Sequence, residues 1–386
     1  MAKNKYKDLL KHFYWGSFDS GVIFIFLSLM IWDETENMLT VALAFSIPIV
    51  IDTVVDYFFS SYSDQKNRKK LFIIGNIGSA IALSFYGFAS SIYILYGLIF
   101  VKSLFAKLYQ TSIEPYIREN IEEISYMDFL SQRKIQTSLG ASLGGFFLMV
   151  FYSISQSLPF IFVLSGMIEL YSSVYLFKLK NQKVKSKKEK EDSSDLDWMR
   201  WIRLIYGVEA FGTALIVNRM LIYIHEFQGL ATENIGFVFF IVYGLSSLLA
   251  ARIYRNFRSI SLKTMLISSF LMQAFLLMLF TQINPLFLIV IVWFLFELVA
   301  NISNIYTNHK INRSLYTDIG KRLSTFRIWI AFASVVGQFI VSQIWDQFGM
   351  NRSFYFSAII LMLLAFFVSL KNKKYFNEKE TKASIR

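Results

Sequence analysis

Charged residues interrupt long apolar stretches of this sequence, and each marks a candidate functional site. The five main candidates are Asp19, Asp52, Lys107, Glu209 and Glu297. A charge at the centre of a bilayer costs on the order of 2.5–3.5 kcal/mol, so charges there usually bind a proton, an ion or a substrate group. The first three lie at similar depths and predict an acid–base cluster, although Lys107 could simply neutralise one of the acids. Glu209 and Glu297 predict proton or cation binding, with local ion pairs as the alternative.

Five further residues are secondary candidates: Asp56, Lys102, Tyr109, Arg219 and Trp293. Asp56 follows Asp52 by four residues, so both share one helical face. Like charges so placed suit a site that takes up and releases a proton. Tyr109 and Trp293 could stack against an organic cation, although packing is the simpler interpretation.

The residues that enzymes and metal sites require are scattered or missing. The chain has no Cys. Its three histidines, His12, His225 and His309, are divided between the two opposite faces of the predicted membrane region. No metal-ligand spacing and no Gly-rich phosphate loop is present. We therefore expect no enzymatic activity, no cofactor and no metal. The net charge of +12 is explained by membrane topology, so we expect no nucleic-acid partner.

The elements that position these residues are apolar stretches long enough to cross a membrane. Each covers the roughly 30 Å hydrocarbon core at about 1.5 Å per residue. They predict helices at 13–31, 38–60, 71–89, 92–112, 134–153, 159–178, 199–223, 231–253, 262–281, 285–307, 326–345 and 353–370. The fold class is thus an all-α membrane protein with twelve transmembrane helices.

The charges of the connecting loops predict the orientation. About 35 of the 39 Lys and Arg residues fall on one side, which is typical of the cytoplasmic face. The opposite loops carry acids such as Asp33, Glu34 and Glu226. We expect a protein of the cell membrane with both termini in the cytoplasm.

A charged segment near the middle divides the chain into two sets of six helices. We predict an N-terminal bundle at 1–178, a cytoplasmic linker at 179–198 and a C-terminal bundle with a basic tail at 199–386. The segment LSQRKIQTSLGASLGGFF from Leu130 aligns with LSTFRIWIAFASVVGQFI from Leu323, at an offset of 193. Parallel repeats are one plan of transporters with a midplane site, although a chance match is the alternative.

The loop after the second predicted helix resembles the signature of the major facilitator superfamily. That signature is Gly-x-x-x-Asp-Arg/Lys-x-Gly-Arg-Arg/Lys, and Asp64, Arg68 and Lys69 fall in register. Ser60 and Asn67 replace the glycines, and Gln65 replaces the first basic residue. The resemblance implies a conformational switch in which the acid pairs with a neighbouring helix. The alternative is an ordinary basic cytoplasmic loop.

Two further stretches carry the same resemblance. In helix 4, Lys107 to Gln110 resembles the Arg-x-x-Gln-Gly pattern. In helix 5, the run with Gly140, Gly144 and Gly145 resembles the Gly-Pro-x-x-Gly-Gly of exporting, antiporter-type members, with Ala141 in place of Pro. Small residues four apart also allow close helix packing, which is the alternative.

The resemblance implies a function and a geometry. Helices 1, 4, 7 and 10 are expected to line a central cavity, whereas helix 6, with Glu169, is expected to face lipid. We expect a monomeric, proton-coupled exporter of an amphipathic small molecule or peptide, similar to Gram-positive drug and macrolide exporters. Its two halves would rock around the site. The alternatives are a proton-symport importer, a flippase for a lipid-linked substrate, and a non-transporting membrane partner.

Overall fold

The described part of the chain consists of helices joined by short connections. The computed structural model describes residues 6–63, 68–120, 123–179, 196–253, 260–314 and 319–371, and contains no strand within them. Twelve of its helices are long and apolar enough to cross a membrane, which confirms the predicted number. The chain is therefore an integral, multi-pass membrane protein.

We label the spans α1–α12 in chain order. The first half comprises α1 (Lys7–Thr35), α2 (Met38–Ser63), α3 (Arg68–Ser84), α4 (Ile92–Asn120), α5 (Glu123–Ser155) and α6 (Leu158–Phe177). The second half comprises α7 (Leu196–Gly212 and Ile216–Gln228), α8 (Thr232–Ile253), α9 (Leu262–Phe280), α10 (Leu286–Ser314), α11 (Ile319–Phe348) and α12 (Met350–Leu370).

Three spans depart from regular α-helix near the buried charges. α1 is interrupted at Ser17 and has a π-helical turn at Ile23–Leu27, so Asp19 lies between two irregularities. α7 breaks at 213–215, where Leu215 adopts a left-handed conformation with φ 54°. α8 contains a π-helical segment at Phe240–Leu245. Such π-helical turns are frequent at functional sites because they redirect side chains.

The two halves repeat the same close contact at the offset found in the sequence. A Cβ atom on Gly144 would lie 2.6 Å from the backbone of Phe18, so α5 touches the backbone of α1. A Cβ atom on Gly337 would lie 2.4 Å from the backbone of Phe211, where α11 touches α7. Only glycine permits such an approach. Gly337 follows Gly144 by 193 residues, and Phe211 follows Phe18 by the same number.

A second contact is also shared by the halves. The Nζ atom of Lys69, at the start of α3, donates to the carbonyl oxygens of Phe177 and Leu179 at the end of α6. The Nζ atom of Lys263, at the start of α9, donates to those of Ser369 and Lys371 at the end of α12. Each lysine thus satisfies carbonyl groups that a helix end leaves without an intrahelical partner.

The halves meet mainly through α2 with α11 and α5 with α8, and also through α1 with α7. The hydrogen bonds that join them in the described part of the chain lie towards one end of the bundle. They link Ser28 to Asn218, Trp32 to Glu226, Met38 and Leu39 to Asp346, and Ser46 to Gln338. We call this the acidic end, because Asp33, Glu34, Glu36 and Glu226 lie there, at or just after the ends of α1 and α7. The opposite end is the basic end. The acidic end is held closed in this structure.

Large apolar side chains cover the outer surface of the bundle. Examples with exposed side chains are Phe88, Tyr93, Ile154, Phe287, Leu363 and Phe366. An exposed apolar surface of this extent is stable against lipid tails rather than water. The surface therefore agrees with a membrane location.

Candidate functional site

A buried ion pair lies in the first half. The Nζ atom of Lys102 on α4 is 2.9 Å from the Oδ2 atom of Asp19 on α1, and the side chains are only 12% and 10% exposed. Ser20 donates a hydrogen bond to the other carboxylate oxygen, Oδ1, of Asp19. The close contact between α5 and the backbone of Phe18 fixes the chain immediately before Asp19. The pair is thus held by α1, α4 and α5 together.

Glu169 adds a second carboxylate to this pair. It lies on α6, is 5% exposed, and interacts electrostatically with both Asp19 and Lys102. Ser79 lies beside it, but neither Ser79 Oγ nor Glu169 Oε2 has a hydrogen-bond partner of normal length among the described residues. We call Asp19, Lys102 and Glu169 the triad. It contains two acids and one base, whereas a lone ion pair would contain one of each.

Buried polar side chains fix the backbone of α6 around Glu169. Asn76 on α3 donates to the carbonyl oxygen of Glu169 and to the hydroxyl of Ser173. His12 on α1 bonds through Nδ1 to the carbonyl of Ser172 and through Nε2 to the hydroxyl of Tyr109, at 2.7 Å. Buried hydrogen bonds of this kind hold neighbouring helices in a fixed arrangement. Tyr109 therefore positions α1 against α4.

Asp52 and Lys107 form a looser contact between α2 and α4. The Nζ atom of Lys107 is 3.9 Å from Asp52 Oδ2, and the Asp52 side chain is 42% exposed. The predicted cluster of Asp19, Asp52 and Lys107 is therefore divided into two separate contacts, and Asp19 pairs with Lys102 instead.

In the second half, Glu297 lies where the two halves face each other. It is buried on α10 beside Tyr243 of α8 and Trp293 of its own helix. It also interacts electrostatically with Lys134 of α5, in the other half, whose own side chain is exposed. Glu297 therefore lies opposite α5 of the first half.

Comparison with known proteins identifies the family. Residues 16–315, more than half of the chain, match the Major Facilitator Superfamily. The chain belongs to the Major Facilitator Superfamily. Among curated proteins, no sequence matches it.

Solved structures show the same fold. The human organic anion transporter MFSD10 (TETRAN) has a TM-score of 0.71 at 12% identity, over 95% of this chain and 99% of that one. The nucleoside transporter NupG, solved as a point mutant, has a TM-score of 0.71 at 12% identity, over 97% of this chain and 100% of that one. This superfamily member therefore has the architecture of a membrane transporter.

Glu209 of this superfamily member is less enclosed than Glu297. It lies on α7, half-buried, near Tyr206 of the same helix, which in turn lies near Thr307 of α10. Its backbone carbonyl accepts bonds from Thr213 at the break of α7. The described residues donate no hydrogen bond to its carboxylate, which leaves the group available to a ligand.

Arg219 is a structural residue in this arrangement. It is fully buried, donates to the carbonyl oxygens of Ala214 and Ser353 and to the hydroxyl of Ser357, and lies over the ring of Phe354. The Ala214 carbonyl lies in the break of α7, where the regular helix bond is missing. Arg219 therefore holds the broken helix against α12.

The remaining predicted residues have varied placements. Asp64 and the side chain of Asp56 lie outside the described residues. Arg68 is buried, and Lys69 bonds to the end of α6. Gly140 and Gly144 touch α1, and Gly145 lies between Ile25 of α1 and Phe239 of α8. His12 and His225 lie towards opposite ends of the bundle, and the His309 side chain is outside the described residues.

Two charged residues near these sites were not predicted as site residues. Glu169 lies on α6, which the resemblance places at the lipid, yet the residue points inward. A signal was present, since Ser165, Ser172 and Ser173 lie three or four residues from it and mark one polar helix face. Lys134 is the first residue of the predicted helix 5, and nothing in the sequence connects it to Glu297.

Proposed function

We propose that this protein is a proton-coupled exporter of amphipathic organic molecules or peptides that carry a positive charge. It exchanges a proton for substrate across the cell membrane, as a monomer, with its termini in the cytoplasm. Residues 1–178 and 199–386 act as two halves that rock about a site between them. The carrying observation is the buried triad, in which carboxylates outnumber bases.

Charge balance makes the triad a proton site. An ionised Asp19 with an ionised Lys102 is neutral, and an ionised Glu169 would add one uncompensated negative charge. Buried charges without a partner are expensive, and an enclosed group avoids the cost by binding a proton. Glu169 is therefore the group that holds the proton in this state. Movement of α1 against α4 would change the Lys102 contacts and release it.

The carboxylates of the second half suit a cationic substrate. Glu209 is half-buried and its carboxylate accepts no hydrogen bond from the described residues, and Glu297 lies near Tyr243 and Trp293. A carboxylate beside aromatic rings binds organic cations through charge and cation–π attraction. Proton and substrate sites in different halves are coupled when both favour one of two conformations.

The closed acidic end agrees with export. The basic end is the cytoplasmic side by the distribution of Lys and Arg, so the described bonds between halves close the outer side. A protein in this state receives substrate from the cytoplasm. Opening the outer end requires those bonds to break.

The test is proton flux in liposomes that contain a pH-sensitive dye, with a panel of cationic antibiotics, peptides and metabolites. We expect substrate-dependent proton flux in the unmodified protein and none in Glu169→Gln, which lacks the proton site. Glu209→Gln should retain the fold and also lose the flux, because substrate no longer binds. The exposed Glu34→Gln, which makes the same chemical change outside the site, is the matched control. Export by antiport is contradicted if protons and substrate move in the same direction. Absence of flux with every compound, in folded protein, contradicts proton coupling.

A further inference from the structure

Three potential metal ligands meet at the acidic end, away from the triad. Asp33 lies near the end of α1, and His225 and Glu226 lie near the end of α7. Their donor atoms lie within 4.8 Å of one another, and His225 Nε2 is 3.6 Å from Asp33 Oδ1. The cluster joins the first half to the second.

The hydrogen bond of His225 Nδ1 determines which ring nitrogen carries the hydrogen. His225 Nδ1 is 3.2 Å from the carbonyl oxygen of Leu230, which can only accept, so Nδ1 carries the hydrogen. In the neutral ring, Nε2 then presents a lone pair to the Asp33 carboxylate. Two acceptors that face each other are joined by a proton, a metal ion or a water that donates to both, and the supporting contacts of the ligands favour the metal ion.

The remaining ligand is held in a similar way. Trp32 Nε1 donates to Glu226 Oε1 at 2.8 Å, and so leaves Oε2 for another partner. Metal-bound imidazoles and carboxylates usually have their second polar atom in such a hydrogen bond, which fixes their orientation. Both His225 and Glu226 therefore have the support that metal ligands have.

The distances fit zinc. Zinc binds imidazole nitrogen and carboxylate oxygen at about 2.0–2.2 Å in tetrahedral geometry, so adjacent ligand atoms lie about 3.4 Å apart. The 3.6 Å separation of His225 and Asp33 is close to that distance. The Glu226 oxygen lies within 4.8 Å of both, so a side-chain rotation would have to move it closer. Calcium and magnesium prefer sites composed of oxygen alone. Water would complete the fourth position.

We propose that Asp33, His225 and Glu226 form a binding site for zinc or a similar divalent transition metal, which holds the acidic end closed. The ligands come from both halves, so the ion binds the closed state more tightly than a state in which α1 and α7 separate. By linkage, the metal then stabilises the closed state and slows the change of conformation. The site would act as an inhibitory site on the side of the acidic loops.

Metal binding to the purified full chain tests the proposal without any transport assay. After treatment with a chelator, thermal unfolding in detergent at pH 7.5 is followed over a titration with zinc chloride, and with magnesium chloride for comparison. We expect a saturable rise in melting temperature with zinc alone. His225→Gln and Asp33→Asn should each weaken the apparent zinc affinity at least about tenfold. Glu34→Gln, beside Asp33 but outside the cluster, should respond as the unmodified chain does.

Three results would overturn the proposal. The first is no saturable response to zinc, and the second is an unchanged response in both variants. The third is stabilisation of the unmodified chain at pH 6 without any zinc response, because a proton alone would then occupy the position between His225 and Asp33. If His225→Gln fails to fold, Asp33→Asn decides the test, since its side chain is more than half exposed.

Discussion

Replacing Lys102 by Met should expose how strongly the triad depends on its single base. Two unit charges 2.9 Å apart attract by about 6 kcal/mol at an effective dielectric of about 20. Desolvation of two side chains that are nearly enclosed offsets much of this attraction. Removal of one partner is nevertheless costly, about 3–5 kcal/mol, because the remaining charge is buried alone.

A double-mutant cycle separates this effect from packing. We expect Asp19→Asn to restore much of the stability lost in Lys102→Met, which gives a coupling energy of about 2–3 kcal/mol. The Asp52–Lys107 contact on the same helix α4 is the matched control. Its atoms are 3.9 Å apart and Asp52 is 42% exposed, so its coupling energy should stay below about 1 kcal/mol.

The assay is unfolding by sodium dodecyl sulfate in mixed micelles, followed by the fluorescence of the 7 Trp residues. A third arm adds Glu169→Gln to Lys102→Met and should recover little stability, because Glu169 already holds a proton in this state and Asp19 is the acid left without a base. Equal coupling energies in the two cycles would refute the reasoning. So would a Lys102→Met variant that is as stable as the unmodified protein.

Three other predictions use the same unfolding assay. Gly140→Ala should lower the free energy of unfolding by about 1–3 kcal/mol, because its Cβ would meet a carbonyl oxygen of α1 at 2.1 Å. Gly97→Ala, whose Cβ would have nothing within 4 Å, should not lower it. Equal losses in the two variants would contradict this prediction. Arg219→Gln should lose about 2–3 kcal/mol as buried carbonyl groups lose a charged donor. Arg219→Lys should not recover this stability, because one ammonium group cannot donate to all the acceptors that the planar guanidinium reaches. Full recovery would count against the structural role. Lys69→Met and Lys263→Met should each lose about 1–3 kcal/mol, and a several-fold difference between them would argue against equivalent roles in the two halves.

The membrane spans could be predicted because apolar length and loop charge are properties of the local sequence. The ends were less predictable. We expected helix 5 at 134–153, whereas α5 runs from Glu123 to Ser155. The additional turns are polar, so hydropathy does not detect them, and no Pro or Gly marks a helix end there. The same applies to the extension of α10 to Ser314.

The partner of Asp19 could not be predicted from depth alone. Lys102 and Lys107 are five residues apart, so they point about 140° apart around α4. One faces α1 and the other faces α2, as their contacts with Asp19 and Asp52 show. Rotation of a helix about its axis depends on the packing of all its neighbours, which a single sequence does not reveal.

Contacts from side chains to distant backbone carbonyl groups also could not be predicted from the sequence. Lys69 and Arg219 each bond to backbone atoms of a helix far along the chain. Every residue has the same backbone carbonyl, so no pattern of residue types indicates which one accepts a bond. The sequence shows only the charge of these residues, and their predicted roles in a switch loop and at a substrate site stay predictions.

The hydrogen bonds between α2 and α11 have a consequence for how readily the acidic end can open. Asp346 of α11 accepts from the backbone amides of Met38 and Leu39, and so caps the first turn of a helix in the other half. The Asp346 side chain is exposed, so water can replace its carboxylate at the Leu39 amide at little cost. Between Ser46 and Gln338, deeper in the bundle, no such replacement occurs until water enters. Separation of the halves should therefore proceed inward from the surface as hydration advances. Solutes that withdraw water, such as sucrose, should shift the protein towards the closed form, and dilute buffer should favour opening.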